Sequence, residues 1–297
     1  MCTTMTATKA GRMPALIYGT AWKKDNTREL VRQALTTGFR GIDTAAQPKH
    51  YREDLVGRGI ADAMRQNGIN REDLYIQTKY TSLDGHDRSN MPYDAKSSIS
   101  EQVRASVASS LRHFAPTAEH AEQVYIDCLV LHSPLPTQSQ TFEAWQAMES
   151  FVPKHVRTIG ISNVYHLPIL TALYESASVK PTVVQNRFYR DTGYDREIRA
   201  FCKDKGMTYQ SFWTLTANPD LLRSHVVNHI AACVGVSRPV ALYGLVLSLG
   251  NISILDGTTS VEHMKDDLKG VHAVQSWLVG NDGQAVEVCK NFAALLE

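Results

Sequence analysis

No run of about 18 apolar residues occurs anywhere in the 297-residue chain, so no membrane-spanning helix is expected. The first residues, Met1 to Gly11, are rich in threonine and lack the apolar stretch of a secretory signal, which points to the cytoplasm. Neither sign of charge is in excess. Lys and Arg total 31 against 30 Asp and Glu, and a net charge of +1 gives no electrostatic reason to expect nucleic acid or an acidic membrane as partner. The cysteines (Cys2, Cys128, Cys202, Cys233, Cys289) are odd in number, scattered and free of C-x-x-C spacing, so they read as reduced thiols. Eleven histidines contain no H-E-x-x-H, and no metal is expected. Gly57-Arg58-Gly59 lacks the third glycine of a dinucleotide fingerprint and lies inside a helical pattern, which makes it structural.

What the chain does have is a repeated alternation. Pro14 to Tyr18 is an apolar run too short for a helix, and Leu30, Val31, Ala34 and Leu35 then recur at helical spacing until Gly38. Phe39 to Ile42 reads as a strand, residues 53–67 as a helix closed by Gly68, and 74–78 as a strand. A polar loop over 81–97 is long enough to serve as a lid. A helix over 99–114, capped by Ser98, leads to a strand over 125–131. Helices over 140–150, 166–176 and 195–205 then alternate with strands over 156–161, 182–187 and 207–212. Helical stretches over 219–233 and 238–249, a strand over 252–255 and a helix over 260–269 follow, with two more helical stretches in 272–296. Eight strand-helix units without a break in composition favour an α/β fold of one domain over 1–297, a closed (β/α)8 TIM barrel with its site at the C-terminal ends of the strands. Residues 1–12 are expected to be a flexible N-terminus, and 272–297 to be helices packed on the barrel.

Three of these strands end on ionisable groups. Asp43 would be costly in a core unless a cation met it, and the next two strands close on Lys79 and His132. Each alone is an ordinary strand-end or loop residue, but together at the rim of a barrel they make an acid/base site.

Gly19-Thr20-Ala21-Trp22, Gly41-Ile42-Asp43-Thr44-Ala45, Thr78-Lys79, Leu131-His132-Ser133-Pro134 and Ile159-Gly160-Ile161-Ser162-Asn163 resemble, in order, the signature segments of the aldo-keto reductase family. The resemblance implies hydride transfer between NADP(H) and an aldehyde or ketone, NAD(H) not being excluded, with a tyrosine as proton donor. Lys79 would favour the phenolate of that tyrosine, Asp43 would hold Lys79, and His132 would orient the carbonyl. The family's tyrosine position is occupied here by Pro48. An insertion leaves His50 by spacing, or Tyr51 by the Tyr-x-Glu signature, and we choose Tyr51 because it alone carries a phenol.

For the cofactor the resemblance implies Gly19, Thr20, Ser162, Asn163 and Gln185. A ring on the seventh strand, Phe212 with Trp213 as the alternative, would stack on the nicotinamide beside Thr214 and Leu215. A phosphate site would lie at Gly257, Thr258, Thr259, Ser260, His263 and Asp267, where a helix N-terminus offers free N–H groups. The family's lysine and arginine are replaced there by Gly257 and His263. Trp22, His50 and Trp213 are expected at a substrate pocket that admits bulky carbonyl compounds, since no long C-terminal tail follows the last helix. A monomer or weak homodimer is expected. Two other readings use the same barrel, a non-catalytic nucleotide-binding subunit and a non-redox isomerase or dehydratase.

Overall fold

Strand and helix alternate as the hydrophobic pattern requires in the computed structural model, which describes residues 13–115 and 124–297. Eight parallel strands close in sequence order. They are β1 (Leu16–Gly19), β2 (Gly41–Asp43), β3 (Tyr75–Tyr80), β4 (Ile126–Leu131), β5 (Val156–Ser162), β6 (Val183–Arg187), β7 (Thr208–Phe212) and β8 (Ile252–Asp256). β1 pairs with β2 through Gly19 and Asp43, and the seam closes where Leu16 meets Ile254 of β8. The expected flexible N-terminus, 1–12, lies outside the described residues.

The helices that cover this barrel begin with α1 (Thr27–Thr37), α2 (Glu53–Asn67), α3 (Ile99–Phe114), α4 (Gln138–Glu149), α5 (Leu167–Ser176) and α6 (Arg196–Asp204). α2 and α3 have the bounds expected from sequence because their ends carry strong signals. Gly68 takes a left-handed conformation after α2, and Ser98 and Glu101 form a reciprocal capping box at the start of α3. Gly57 and Gly59 let three helices approach closely. A Cβ on Gly57 would lie 1.8 Å from the carbonyl oxygen of His113 on α3, and one on Gly59 would lie 2.6 Å from that of Arg28 on α1. Gly57→Ala is therefore expected to cost about 1–3 kcal/mol by overpacking. Gly280→Ala, where nothing lies within 4 Å, should be neutral or stabilising, and urea melts of the two variants would check the contrast.

Two boundaries differ from the sequence reading. The helical stretch over 219–233 is α7 (Pro219–Arg223) and α8 (His225–Val234), parted at Ser224, whose extended backbone and hydroxyl cap α8. α9 (Arg238–Ser248) is buried along all of Val240 to Leu247. After it, α10 (Val261–Gly280) runs through the expected break at 269–272, and α11 (Asp282–Ala294) follows. Gly270, in mid-helix, is where α10 presses on α9, since a Cβ there would come within 2.5 Å of Val240. Among the described residues no single helix is long and apolar enough to cross a membrane; α8 and α9 pass only as a pair, bent by 106°.

Most of the apolar core lies between strands and helices. A smaller cluster of Ile17, Tyr75, Cys128, Val130 and Val183, with Met13 against it, fills the barrel interior. Above it the interior turns polar. Gln77 on β3 and Gln210 on β7 exchange amide hydrogen bonds of 2.8 and 2.9 Å, and both Gln77 and Gln185 donate to Asp43.

Candidate active site

Asp43 ends β2 in register with Gln77 of β3, and Lys79, two residues further along β3 and on the same face, reaches it. The Lys79 ammonium donates to both Asp43 oxygens at 2.8 and 2.6 Å and to the Thr44 carbonyl at 2.8 Å. The lysine is 1% exposed and the aspartate 2%, so each charge depends on the other. Burial alone would lower the lysine, but Asp43 and Tyr51 outweigh it, and Lys79 stays above its ordinary range and charged.

The insertion after Asp43 is absorbed by a turn. Thr44 N and Ala46 N continue the ladder onto β3 by donating to Gln77 and Lys79 carbonyls, and the N–H groups of His50 and Tyr51 then both donate to Gln47 O at 3.1 and 3.0 Å. This delivers Tyr51 over Lys79, with the ammonium 5.2 Å from its ring centre and the His132 ring edge-on at 6.2 Å. His50 turns the other way and lies against Trp22, ring centres 3.8 Å apart. Burial raises Tyr51 above the usual phenol range, and the downward pull of Lys79 does not cancel it. Lys79 thus acts in the expected direction, towards the phenolate, but burial prevails in the site as it stands, and the phenol keeps its proton at neutral pH. Behind Tyr51, the buried carboxylate of Glu53 accepts hydrogen bonds from Thr78, Ser110 and His113, which ties the start of α2 to β3 and α3.

His132 follows β4, and its Nδ1 lies 2.6 Å from the Thr81 hydroxyl. Burial, with the Lys79 charge behind it, holds this imidazole well below the ordinary histidine range, so it is neutral at pH 7. In the unfolded chain it would take up a proton near pH 6.5. The stability gained from keeping it neutral is present above that value and lost as the pH falls below it. His132→Gln should therefore flatten the acid limb of the stability profile by up to about 1.4 kcal/mol per pH unit, read from urea melts between about pH 7 and about pH 5.

Two of the three strand-end side chains, Asp43 and His132, meet one cavity of about 880 Å³. Tyr51, His132 and Asp43 line it, while Lys79 lies beneath. Gly19, Trp22, His50, Ser162, Asn163 and Gln185 contribute to the same wall. So do Phe212 at the end of β7, Trp213, Thr214 and Leu215 after it, and Gly257, Thr258, His263 and Asp267 around the start of α10. Trp22, Asn163 and Trp213 turn off their strands with left-handed φ values of 64°, 53° and 56°, a local strain of about 1–2 kcal/mol per residue that turns these side chains onto the cavity wall.

Three expected contacts do not reach the cavity. Thr20 is buried with its hydroxyl on the Asp43 carbonyl, Ser260 caps α10 by accepting from His263 N, and Thr259 is not on the wall. The loop over 81–97 also contributes nothing to the wall. It is pinned by Tyr93 and His86 to the Thr81 carbonyl and by Gln47 to Gly85, and the far wall comes instead from Thr216, Ser237, Pro239 and Tyr243. The sequence reading passed over Lys23, Arg187, Asp256 and Asp266, which also line the cavity. The rule that found Asp43 at a strand end applies equally to Asp256 at the end of β8. Lys23 carried no such signal, because only the fold brings its ammonium to the Gly257 carbonyl. Among the described residues no group of three His, Cys, Asp or Glu side chains is placed to hold a metal ion.

The sequence model of the aldo/keto reductase family matches residues 11–225. The chain belongs to the aldo/keto reductase family. This places it among carbonyl-reducing oxidoreductases. An uncharacterized oxidoreductase of Schizosaccharomyces pombe is 30% identical over 90% of this chain and 85% of its own length. The glyoxal reductase of Bacillus subtilis is 29% identical over 68% of this chain and 63% of its own. In fold, this aldo/keto reductase is similar to the crystal structure of an aldo-keto reductase from a Medee basin deep-sea metagenome, with TM-score 0.68 at 21% identity over 89% and 91% of the two chains. The silkworm (Bombyx mori) aldo-keto reductase gives TM-score 0.70 at 18% identity over 89% and 84%.

Proposed function

We propose that this aldo/keto reductase reduces an aldehyde or ketone to the alcohol, with a nicotinamide dinucleotide as reductant and Tyr51 as proton donor. The observation that carries the reading is a protonated phenol over a buried, charged lysine on the wall of the same cavity as a neutral imidazole. A phenol alone is a weak acid at neutral pH, with a pKa of about 10. As its proton leaves, the phenolate forms beside the Lys79 ammonium, which stabilises the charge where it develops. Asp43 keeps that ammonium charged and in place. In the tautomer whose Nδ1 accepts from the Thr81 hydroxyl, His132 carries its own proton on Nε2 and can donate it to the carbonyl oxygen.

The wall residues fit a nicotinamide. Gln185 spends its Nε2 on Asp43 and Gln210, which leaves its Oε1 for a ligand amide, and Phe212 offers a ring face for stacking. Asn163 already donates to His132 O and Ser162 Oγ, so it orients the wall and keeps an acceptor lone pair. A nicotinamide bound there would supply the hydride for the carbonyl carbon, and Tyr51 is placed to supply the proton for the oxygen. Trp22 and Trp213, 58% and 49% exposed, flank the cavity with apolar surface suited to a bulky carbonyl compound. The test is to mix the protein with NADH or NADPH and a panel of aldehydes and ketones, glyoxal included, and to follow the absorbance of the reduced nicotinamide. Carbonyl-dependent oxidation is expected. Absence of oxidation with either nucleotide, together with absence of nucleotide binding, would sink the reading.

A further inference from the structure

Of the side chains that line the cavity, Lys23 and Arg187 carry a positive charge at neutral pH whatever their protonated neighbours. Lys23 meets the Gly257 carbonyl, where β8 passes into α10. Arg187 stands apart, at the end of β6. Gln185, two residues earlier, turns its amide into the barrel and donates to Asp43 at 3.0 Å. Residues two apart on a strand face the same way, so Arg187 leaves the sheet on the cavity side, one step nearer the rim. The register with β7 sets it beside Phe212.

What holds this arginine is aromatic. Its guanidinium carbon lies 4.2 Å from the centre of the Trp213 ring and 5.0 Å from that of Tyr189. Its backbone N–H donates at 3.2 Å to the Tyr165 hydroxyl, which in turn donates to Asn163 Oδ1, so Arg187 and the Asn163 wall share one anchor. Among the described residues, however, no carboxylate pairs with the guanidinium, and its Nε is buried without an acceptor. The other arginines packed on aromatic rings are all engaged. Arg71 and Arg157, against Tyr125, both hold Asp127, and Arg199, near Phe188, donates to the Tyr194 carbonyl. Arg187 alone among them lines the cavity, and it alone lacks an acceptor.

An arginine keeps its charge in a protein, and its planar fork of N–H donors fits the two-oxygen edge that phosphates and carboxylates share. A fork oriented by rings and left without an acceptor suits an anion that arrives with a ligand. We propose that Arg187, seated on Trp213, is an oxyanion-docking residue of the cavity. This rests on the reductase reading, because the ligands of that reaction bring such anions in: the dinucleotide carries a diphosphate, and a carbonyl compound can carry a carboxylate.

Two arms of one experiment tell these sources apart. Arg187→Met keeps an unbranched stem against the rings and removes the charge and the fork, whereas Arg187→Lys keeps the charge alone. In the first arm, calorimetry at several salt concentrations gives the Kd of NADH and of NADPH. With the diphosphate as partner, both rise by about tenfold or more in Arg187→Met and their dependence on salt flattens, as loss of an ion pair requires. In the second arm, kcat/KM for 4-carboxybenzaldehyde is set against that for benzaldehyde. With a substrate carboxylate as partner, the ratio falls by about tenfold or more while the nucleotide Kd stays in place. Arg187→Lys should fall between the two in whichever arm responds, and it carries the result if the methionine variant does not fold. A weaker Kd with an unchanged salt dependence, an equal loss on both aldehydes, or no change in either arm would overturn the proposal, leave Arg187 as a packing partner of Trp213 and leave the reductase reading standing. An unaltered protein that binds neither nucleotide and reduces neither aldehyde would remove that reading and this proposal with it.

Discussion

Tyr51→Phe is expected to lower kcat for carbonyl reduction by about 10²–10⁴-fold, the usual contribution of a positioned general acid, while the Kd of the reduced nucleotide stays unchanged. The substitution removes one oxygen and keeps the ring, so the contacts with the Lys79 ammonium and the His132 ring persist. What disappears is the proton that the site keeps on the phenol until a carbonyl oxygen claims it. His50→Gln separates the two assignments that the inserted loop allows. Because His50 lies against Trp22 on the cavity wall, its loss should raise KM and spare most of kcat. Single-turnover kinetics at saturating nucleotide would measure both. If His50→Gln abolished turnover and Tyr51→Phe did not, the donor would be the histidine.

Asp43→Asn should be the most destabilising single change at the site, at about 3–5 kcal/mol, because it strands a lysine that is 1% exposed. Three donors converge on Asp43, namely Lys79 Nζ, Gln77 Nε2 and Gln185 Nε2. An asparagine cannot accept from all of them with both terminal atoms. The loss is specific to the broken pair, so Lys79→Met in the same chain should restore part of the stability even though it abolishes turnover. Urea denaturation of the two single variants and the double variant would give the coupling. Strictly additive losses would mean that the two charges are solvated independently.

The barrel was legible in the sequence because each unit announces itself locally. A short apolar run, a helical stripe and a stop such as Gly38 or Gly68 are all contained within about 30 residues, the size of a strand-helix-strand unit. Asp43, Lys79 and His132 were legible for a similar reason, as polar residues placed where an apolar strand ends. Features that depend on the closed ring were not. Gln77 and Gln210 bond across the barrel interior from positions 133 residues apart, and nothing in the residues around either one marks the other as its partner. Gly270 reads as a helix stop in isolation and proves to be a contact point only once α9 is laid against it. Ser224 shows the converse. A helical stripe continues through it, but the side chain gains more as a cap for α8 than as one more residue within a helix.

The seam between β1 and β8 has a consequence for how the chain is made. Its bonds join the two ends of the sequence, as when the Tyr18 hydroxyl donates to the Thr258 carbonyl 240 positions later and Ser253 donates to Pro14. At a synthesis rate of about 5–20 residues per second, β1 waits roughly 12–48 seconds on the ribosome before its second neighbour emerges. Throughout that interval the nascent sheet has two open edges, each a template for pairing with another chain. The last strand to be translated thus both completes the site and ends the period in which the growing polypeptide is most exposed to aggregation.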